Sequence, residues 1–241
     1  MTVEFIGVWD TVAALGAPQL PWLDWFLNLV RRHKFYDYEP ATLVRSVCHA
    51  MAVDDERRTF WPLVWNEKDF KGEGVIEQVW FSGMHSNVGG GYPREELAQV
   101  TLDWMMQKLQ EHWTTLQKAG STRWLSLKPS SKQEAREDAN AFGKLYDSRS
   151  GFSIYYRYQP RPIEDLCEGK TPIRIHKSVL DRLEKRTAGY TPGNLPGKFE
   201  EVATRPPDHP STSGGGSPSA GDTLPEADES TQGDHSPPDQ P

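Results

Sequence analysis

The chain reads as an α/β domain with a short, mainly parallel sheet flanked by helices. Three observations predict it. Residues 3–9 (VEFIGVW) and 75–81 (VIEQVWF) are short runs rich in β-branched and aromatic residues, which is how buried strands read. Residues 95–116 keep Leu97, Val100, Thr101, Trp104, Met105, Leu109 and Trp113 at helical spacing. Each strand-like run leads into a polar residue able to do chemistry, Asp10 in one case and His85 in the other. Open α/β sheets collect ligands and catalytic groups at the carboxyl ends of their strands.

Taken in order, the first run ends on Asp10 and Thr11, with Gly16 and Pro18 behind them. Residues 21–30 (PWLDWFLNLV) place Trp22, Trp25, Phe26, Leu29 and Val30 at helical spacing, and Leu23 and Leu27 widen the apolar surface. The basic end Arg31, Arg32, His33 and Lys34 suits the helix macrodipole. Such a helix packs on the rest of the domain or lies on an anionic lipid surface. Residues 40–51 read as another helix, with Leu43, Val44, Val47, Ala50 and Met51 on one side. The alternation Asp54, Asp55, Glu56, Arg57, Arg58 reads as a solvated face of weak ion pairs.

The second run is closed by Gly83, and His85 is followed by Gly89, Gly90 and Gly91, which permit backbone conformations closed to other residues. Pro93, Glu95 and Glu96 suit the first turn of the long helix that follows, whose Trp104 and Met105 belong to a core. Residues 121–144 are polar and predict a loop with a short exposed helix. Residues 147–161 carry β-patterned aromatics, 175–183 start a closing helix, and 190–196 form an extended stretch bounded by Pro and Gly.

Only 36% of the 241 residues are hydrophobic and the mean hydropathy is −0.68. Much of that polarity lies at the end, where residues 203–241 are Pro, Gly, Ser and acidic, including SGGGS at 213–217. Such a composition cannot offset chain entropy, so the expectation is a domain over 1–202 and a disordered tail over 203–241. The net charge of −7 and pI of about 5.5 give no general attraction to nucleic acid. Cys48 and Cys167 are expected as unpaired thiols. Nothing in the first residues reads as a secretory signal and no stretch reaches membrane-spanning length, so a cytoplasmic location is the default expectation. The histidines lack metal-binding spacing, and neither a dinucleotide fingerprint nor a Walker loop occurs, so no metal and no cofactor is expected.

A carboxylate at a strand end orients a histidine and stabilises its protonated form, the third-member role in a Ser-His-acid triad. In α/β-hydrolases the order is nucleophile, acid, histidine, which Asp10 followed by His85 fits in its last two places. No Gly-x-Ser-x-Gly elbow occurs in the 241 residues.

Four blocks make the chain resemble the DUF2235 family, the α/β-hydrolase-like catalytic domain of the Tle1-type phospholipase effectors of type VI secretion. FIGVWDTVAALG at 5–16 resembles its acid block and HAMAVDDERRTFWPLVW at 49–65 its His-Ala-Leu-Ala-x-Asp-Glu-x-Arg block. VWFSGMHSNVGGGY at 79–92 resembles the histidine block, and 175–196 the closing segment. The resemblance implies a partial α/β-hydrolase-like fold with Asp10 as triad acid and His85 as general base, acting on lipid acyl esters. It places His49 and Arg57 close to the active-site loops, and Asn87 where the family usually has Asp. The family's serine lies upstream of its acid block, so the expectation is the C-terminal part of a hydrolase domain, inactive alone. Membrane contact would run through Trp22, Trp25 and Phe26, and export by a specialised secretion system would need no cleaved signal. The alternative expectation is a non-catalytic remnant serving as an interaction module.

Overall fold

The computed structural model describes residues 2–12, 43–70, 74–121, 125, 127–147 and 158–204. By contacts the chain divides into Met1–Arg205 and Pro206–Pro241, and the second unit lies wholly outside the described residues. So does the apolar segment bearing Trp22, Trp25 and Phe26.

The first unit is built on five parallel strands in sequential order: β1 (Ile6–Trp9), β2 (Ser46–Ala52), β3 (Val75–Phe81), β4 (Arg174–His176) and β5 (Glu200–Val202). Between β3 and β4 run α1 (His85–Gly89), α2 (Glu96–Lys118), α3 (Pro129–Asp138) and α4 (Ile163–Cys167). Helix α5 (Lys177–Glu184) follows β4 directly. The α/β class and the parallel sheet are those the sequence predicts.

Side-chain alternation sorts the central strands between two layers. Cys48, Ala50 and Ala52 of β2 join Val79 and Phe81 of β3 in one cluster with Val100, Trp104 and Met105 of α2. Met51 and Trp80 join Ile175 of β4 in the other, with Ile163 and Cys167 of α4 and Val179 of α5. Both cysteines are buried and unpaired, and burial pushes the Cys48 thiol up to about 12.

Three local expectations fail. Residues 46–51, read as the second half of a helix over 40–51, belong to β2, the strand between β1 and β3. A strand buried on both faces is apolar throughout, and so short a run mimics helical spacing. Ile175 and His176, read as the start of the closing helix, form the end of β4, and the helix begins only at Lys177. The acidic and basic block after β2 is not a solvated face: Asp55 is fully buried and Arg57 is 8% exposed. The chain turns there across the ends of the strands, where Asp55 pairs with Arg57 and Asp54 accepts from Gly83 and Tyr190, while Arg58 stays exposed.

The β3 to α1 junction needs Gly83. Its φ of 122° is closed to other residues, and a Cβ there would lie 2.6 Å from the Asn87 Cβ. The tight turn places His85 as the first residue of α1, three residues beyond the position of a strand-capping residue.

Candidate active site

The site forms where β1, β2 and β3 end. Asp10 follows β1 with φ of 45°, a conformation rare outside glycine, and its side chain is fully buried. The turn aims the carboxylate over the end of β2, where Oδ1 accepts the Ala52 N–H at 2.9 Å. Oδ2 lies 2.7 Å from His85 Nδ1. Asp10 and His85 therefore meet although β2 separates the strands that carry them.

The carboxylate has a second charged partner. Arg161 is fully buried, and its Nη1 donates to Oδ1 at 2.5 Å and its Nη2 to Oδ2 at 2.7 Å. Nη1 also donates to the Ala52 carbonyl at 2.6 Å, and Nη2 to the Phe60 carbonyl at 2.5 Å. Burial pushes the Asp10 carboxyl up, but the Arg161 guanidinium and then His85 outweigh it and hold it well below the usual carboxylate range. An ionised Asp10 only accepts, so His85 Nδ1 carries the proton and donates it. The Nε2 lone pair is left available. Among the described residues Nε2 meets no hydrogen-bond partner, and the His85 side chain is 32% exposed.

The block after β2 supports His85 from the other side. Arg57 pairs with Asp55 through Nε at 3.0 Å and Nη2 at 2.7 Å, and Asp55 Oδ2 accepts the His85 N–H at 3.2 Å. The Arg57 guanidinium lies 3.5 Å from the Phe60 ring centroid, and that ring meets the His85 ring edge to face at 5.4 Å. His49 is fully buried on β2, and its Nε2 accepts the Thr11 N–H at 3.1 Å, fixing the chain just after Asp10. Burial pushes this imidazole down to about 4, so it stays neutral.

Asn87 sits two residues beyond His85 in α1 but turns away from it. Its Nδ2 donates to the Lys144 carbonyl at 3.1 Å, and its Oδ1 accepts the Tyr146 N–H at 3.3 Å. That loop is also held by Tyr92, whose ring stacks on Tyr146 at 4.0 Å. The position thus binds a wall of the site rather than touching the histidine.

The wall borders a cavity of about 860 Å³ formed by residues 53–56, 145–147 and 190–194 with Tyr158 and Pro160. Asp10 and His85 do not line it, but Asp55 belongs to both. At its floor Asp54 accepts the Gly83 N–H at 2.6 Å and the Tyr190 hydroxyl at 3.0 Å. Burial pushes Asp54 up to about 6. The volume suits a small-molecule ligand.

Residues 1–108 match the family model described as type VI secretion system, phospholipase effector Tle1-like, catalytic domain. That segment is of the Tle1-like catalytic-domain family. It contains Asp10, His49, Arg57, His85 and Asn87, whereas Arg161 and two of the cavity's walls lie beyond it. No curated protein and no solved structure matches the chain.

Arg161 is the functional residue that the sequence reading misses. It stands 151 positions from Asp10 in a run whose aromatics dominate the pattern. The available signal is chemical: a carboxylate buried at a strand end needs a cation, and an arginine between Pro160 and Pro162 in an aromatic setting is a candidate. Of the described residues 147 and 158–161, Tyr158 forms an isolated antiparallel bridge to Arg57, and the strand expected between them lies outside the described residues.

Proposed function

We propose that the chain carries the acid and histidine of a serine esterase site for lipid acyl esters. The observation that carries this reading is the Asp10–His85 contact of 2.7 Å with Nε2 left free. In that role Nε2 takes the serine proton as the nucleophile attacks the acyl carbonyl. Asp10 holds the reactive tautomer and stabilises the imidazolium, and Nε2 returns the proton to the leaving alcohol. The adjoining cavity has room for part of a lipid ester, and its tyrosines and carboxylates give it a mixed apolar and polar lining.

The nucleophile in this reading comes from a Gly-x-Ser-x-Gly elbow, which these 241 residues do not contain. Ser82 is buried and its hydroxyl pairs with Ser178 at 3.5 Å. Among the described residues no helix is long and apolar enough to cross a membrane. Delivery by a type VI machine and surface contact through Trp22, Trp25 and Phe26 are part of the same proposal.

The test compares residues 1–241 with a chain extended upstream through an in-frame Gly-x-Ser-x-Gly, using phospholipid vesicles and short-chain esters. The short chain should give background hydrolysis. The extended one should turn over and lose about 10³-fold or more in kcat on His85→Ala. Turnover by 1–241 that depends on His85 would place the nucleophile inside these residues, and an inactive extended chain would favour the interaction-module reading.

A further inference from the structure

The carboxylate that would stabilise a protonated His85 is already paired. Asp10 Oδ2 lies 2.7 Å from His85 Nδ1 and 2.7 Å from Arg161 Nη2, so one oxygen serves both. Two neighbouring groups add little net charge at His85. Asp55 and Arg57, from the segment after β2, neutralise each other in a two-bond pair, and His49 of β2 is neutral. The charges bonded to the shared site are Asp10, which follows β1, and Arg161; Asp54, from the segment after β2, also faces Arg161 electrostatically and accepts the Gly83 N–H rather than a bond from His85.

Protonating His85 places a second cation on a carboxylate whose charge the guanidinium already meets. A plain acid-histidine pair would hold that proton more firmly. The fork also fills the remaining acceptor positions of Asp10, because Oδ1 takes Ala52 N–H and Arg161 Nη1. The carboxylate can then neither rotate away from His85 nor pick up a proton itself. The guanidinium is itself fixed by the Ala52 and Phe60 carbonyls, and the Phe60 ring packs on His85.

We infer that Arg161 is a positioning residue that sets the basicity of His85 through the Asp10 carboxylate they share. The inference rests on the reading of His85 as the base. It adds that Arg161 and His85 compete for one carboxylate, so the guanidinium limits how strongly Asp10 can hold the proton that returns to the leaving group.

The test is an NMR titration of the His85 ring in the uniformly ¹⁵N-labelled chain, beside Arg161→Gln and Arg161→Lys. Removing the charge in Arg161→Gln should raise the His85 titration midpoint by about one pH unit or more, as expected for loss of a cation within a few ångströms. Arg161→Lys keeps the charge and should move the midpoint by less than about half as much. A folded Arg161→Gln whose midpoint lies within roughly 0.3 of wild type would overturn the inference, since the measurement resolves a coupling of the size expected. If Arg161→Gln does not fold, the wild-type chain decides. Its Arg161 Nε–H resonance should move with the same midpoint as the His85 ring, and a resonance that stays flat across that titration refutes the coupling. The two readings fail separately. Ester turnover by the extended chain that is indifferent to His85 removes the catalytic reading and leaves the coupling standing, whereas an uncoupled His85 that is still needed for turnover does the reverse.

Discussion

Replacing Asp10 by Asn exchanges one oxygen for an amide nitrogen and should undo much of the folded state. The carboxylate is fully buried and accepts from Ala52 N–H, His85 Nδ1 and both Nη atoms of Arg161. Asn retains one acceptor oxygen, and its amide donors face donors on Arg161 or His85. The larger effect is the stranded charge, because Arg161 is fully buried and Asp10 is the carboxylate that its two Nη atoms bond. Removing one partner of a buried pair costs about 3–5 kcal/mol. Set against a typical domain stability of about 5–15 kcal/mol, that is about a fifth of the total at the least. With a urea slope of about 2–3 kcal/mol per molar, the unfolding midpoint should fall by about 1–2 M. The double variant Asp10→Asn/Arg161→Met removes the stranded charge and should lose at least about 2 kcal/mol less than the sum of the single changes. The assay is urea unfolding followed by tryptophan fluorescence at pH 7.5. A midpoint shift under about 0.3 M for Asp10→Asn, or strict additivity in the double variant, would refute the claim that this pair is a buried, mutually dependent unit.

Acid should weaken the fold well above the usual carboxylate range. His49 and His176 are buried with their imidazoles pushed down from 6.5 to about 4, so the unfolded chain takes up protons first and stability falls as pH drops from 6.5 toward 4. Each contributes about 3 kcal/mol over that window, while Asp54, raised from 3.8 to about 6, works the other way by a similar amount. Urea midpoints should therefore decline between pH 6.5 and 4, more steeply in Asp54→Asn and less steeply in His176→Gln; identical slopes in all three proteins would contradict the burial argument. Asn87→Asp should cost about 1–3 kcal/mol, because the new carboxylate faces the Lys144 carbonyl without a proton to donate. Amide exchange at Tyr146 should also accelerate, and an unchanged rate would show that Asn87 does not hold that loop.

Residues 75–81 are legible as a strand because Val, Ile, Trp and Phe cluster in a short run closed by Gly83, and the structure keeps those bounds. The long helix is legible because its apolar period persists through Trp104 and Met105, and it runs from Glu96 to Lys118. Residues 46–52 fail the same test: a strand covered on both faces shows no alternation, and Ala, Cys and Met carry no strong β preference. The meeting of Asp10 with His85 is suggested by two strand ends in hydrolase order, since parallel strands point their carboxyl ends the same way. What sequence does not display is burial of charge. Asp54, Asp55 and Arg57 look like surface residues until the chain is seen to cross the strand ends, and Arg161 has no local pattern because its partner is set by tertiary packing alone.

The strand order has a consequence for how such a chain can vary in length over evolution. Acid and histidine follow β1 and β3, so the end of β2 acts as a spacer, its Ala52 amide bonding Asp10 and its carbonyl Arg161. The main-chain ladder continues past the strand, from Val53 N–H to the Phe81 carbonyl and from Asp54 N–H to the Gly83 carbonyl. One residue gained or lost between Ala52 and Asp55 would rotate every later side chain to the opposite face and part Asp55 from the His85 amide. Among the described residues of the polar stretch between α2 and α3, the main-chain bonds stay with the helix ends. Insertions should therefore accumulate there while the spacing from Ala52 to Arg57 stays fixed, so that length polymorphism itself would mark out the working part of the fold.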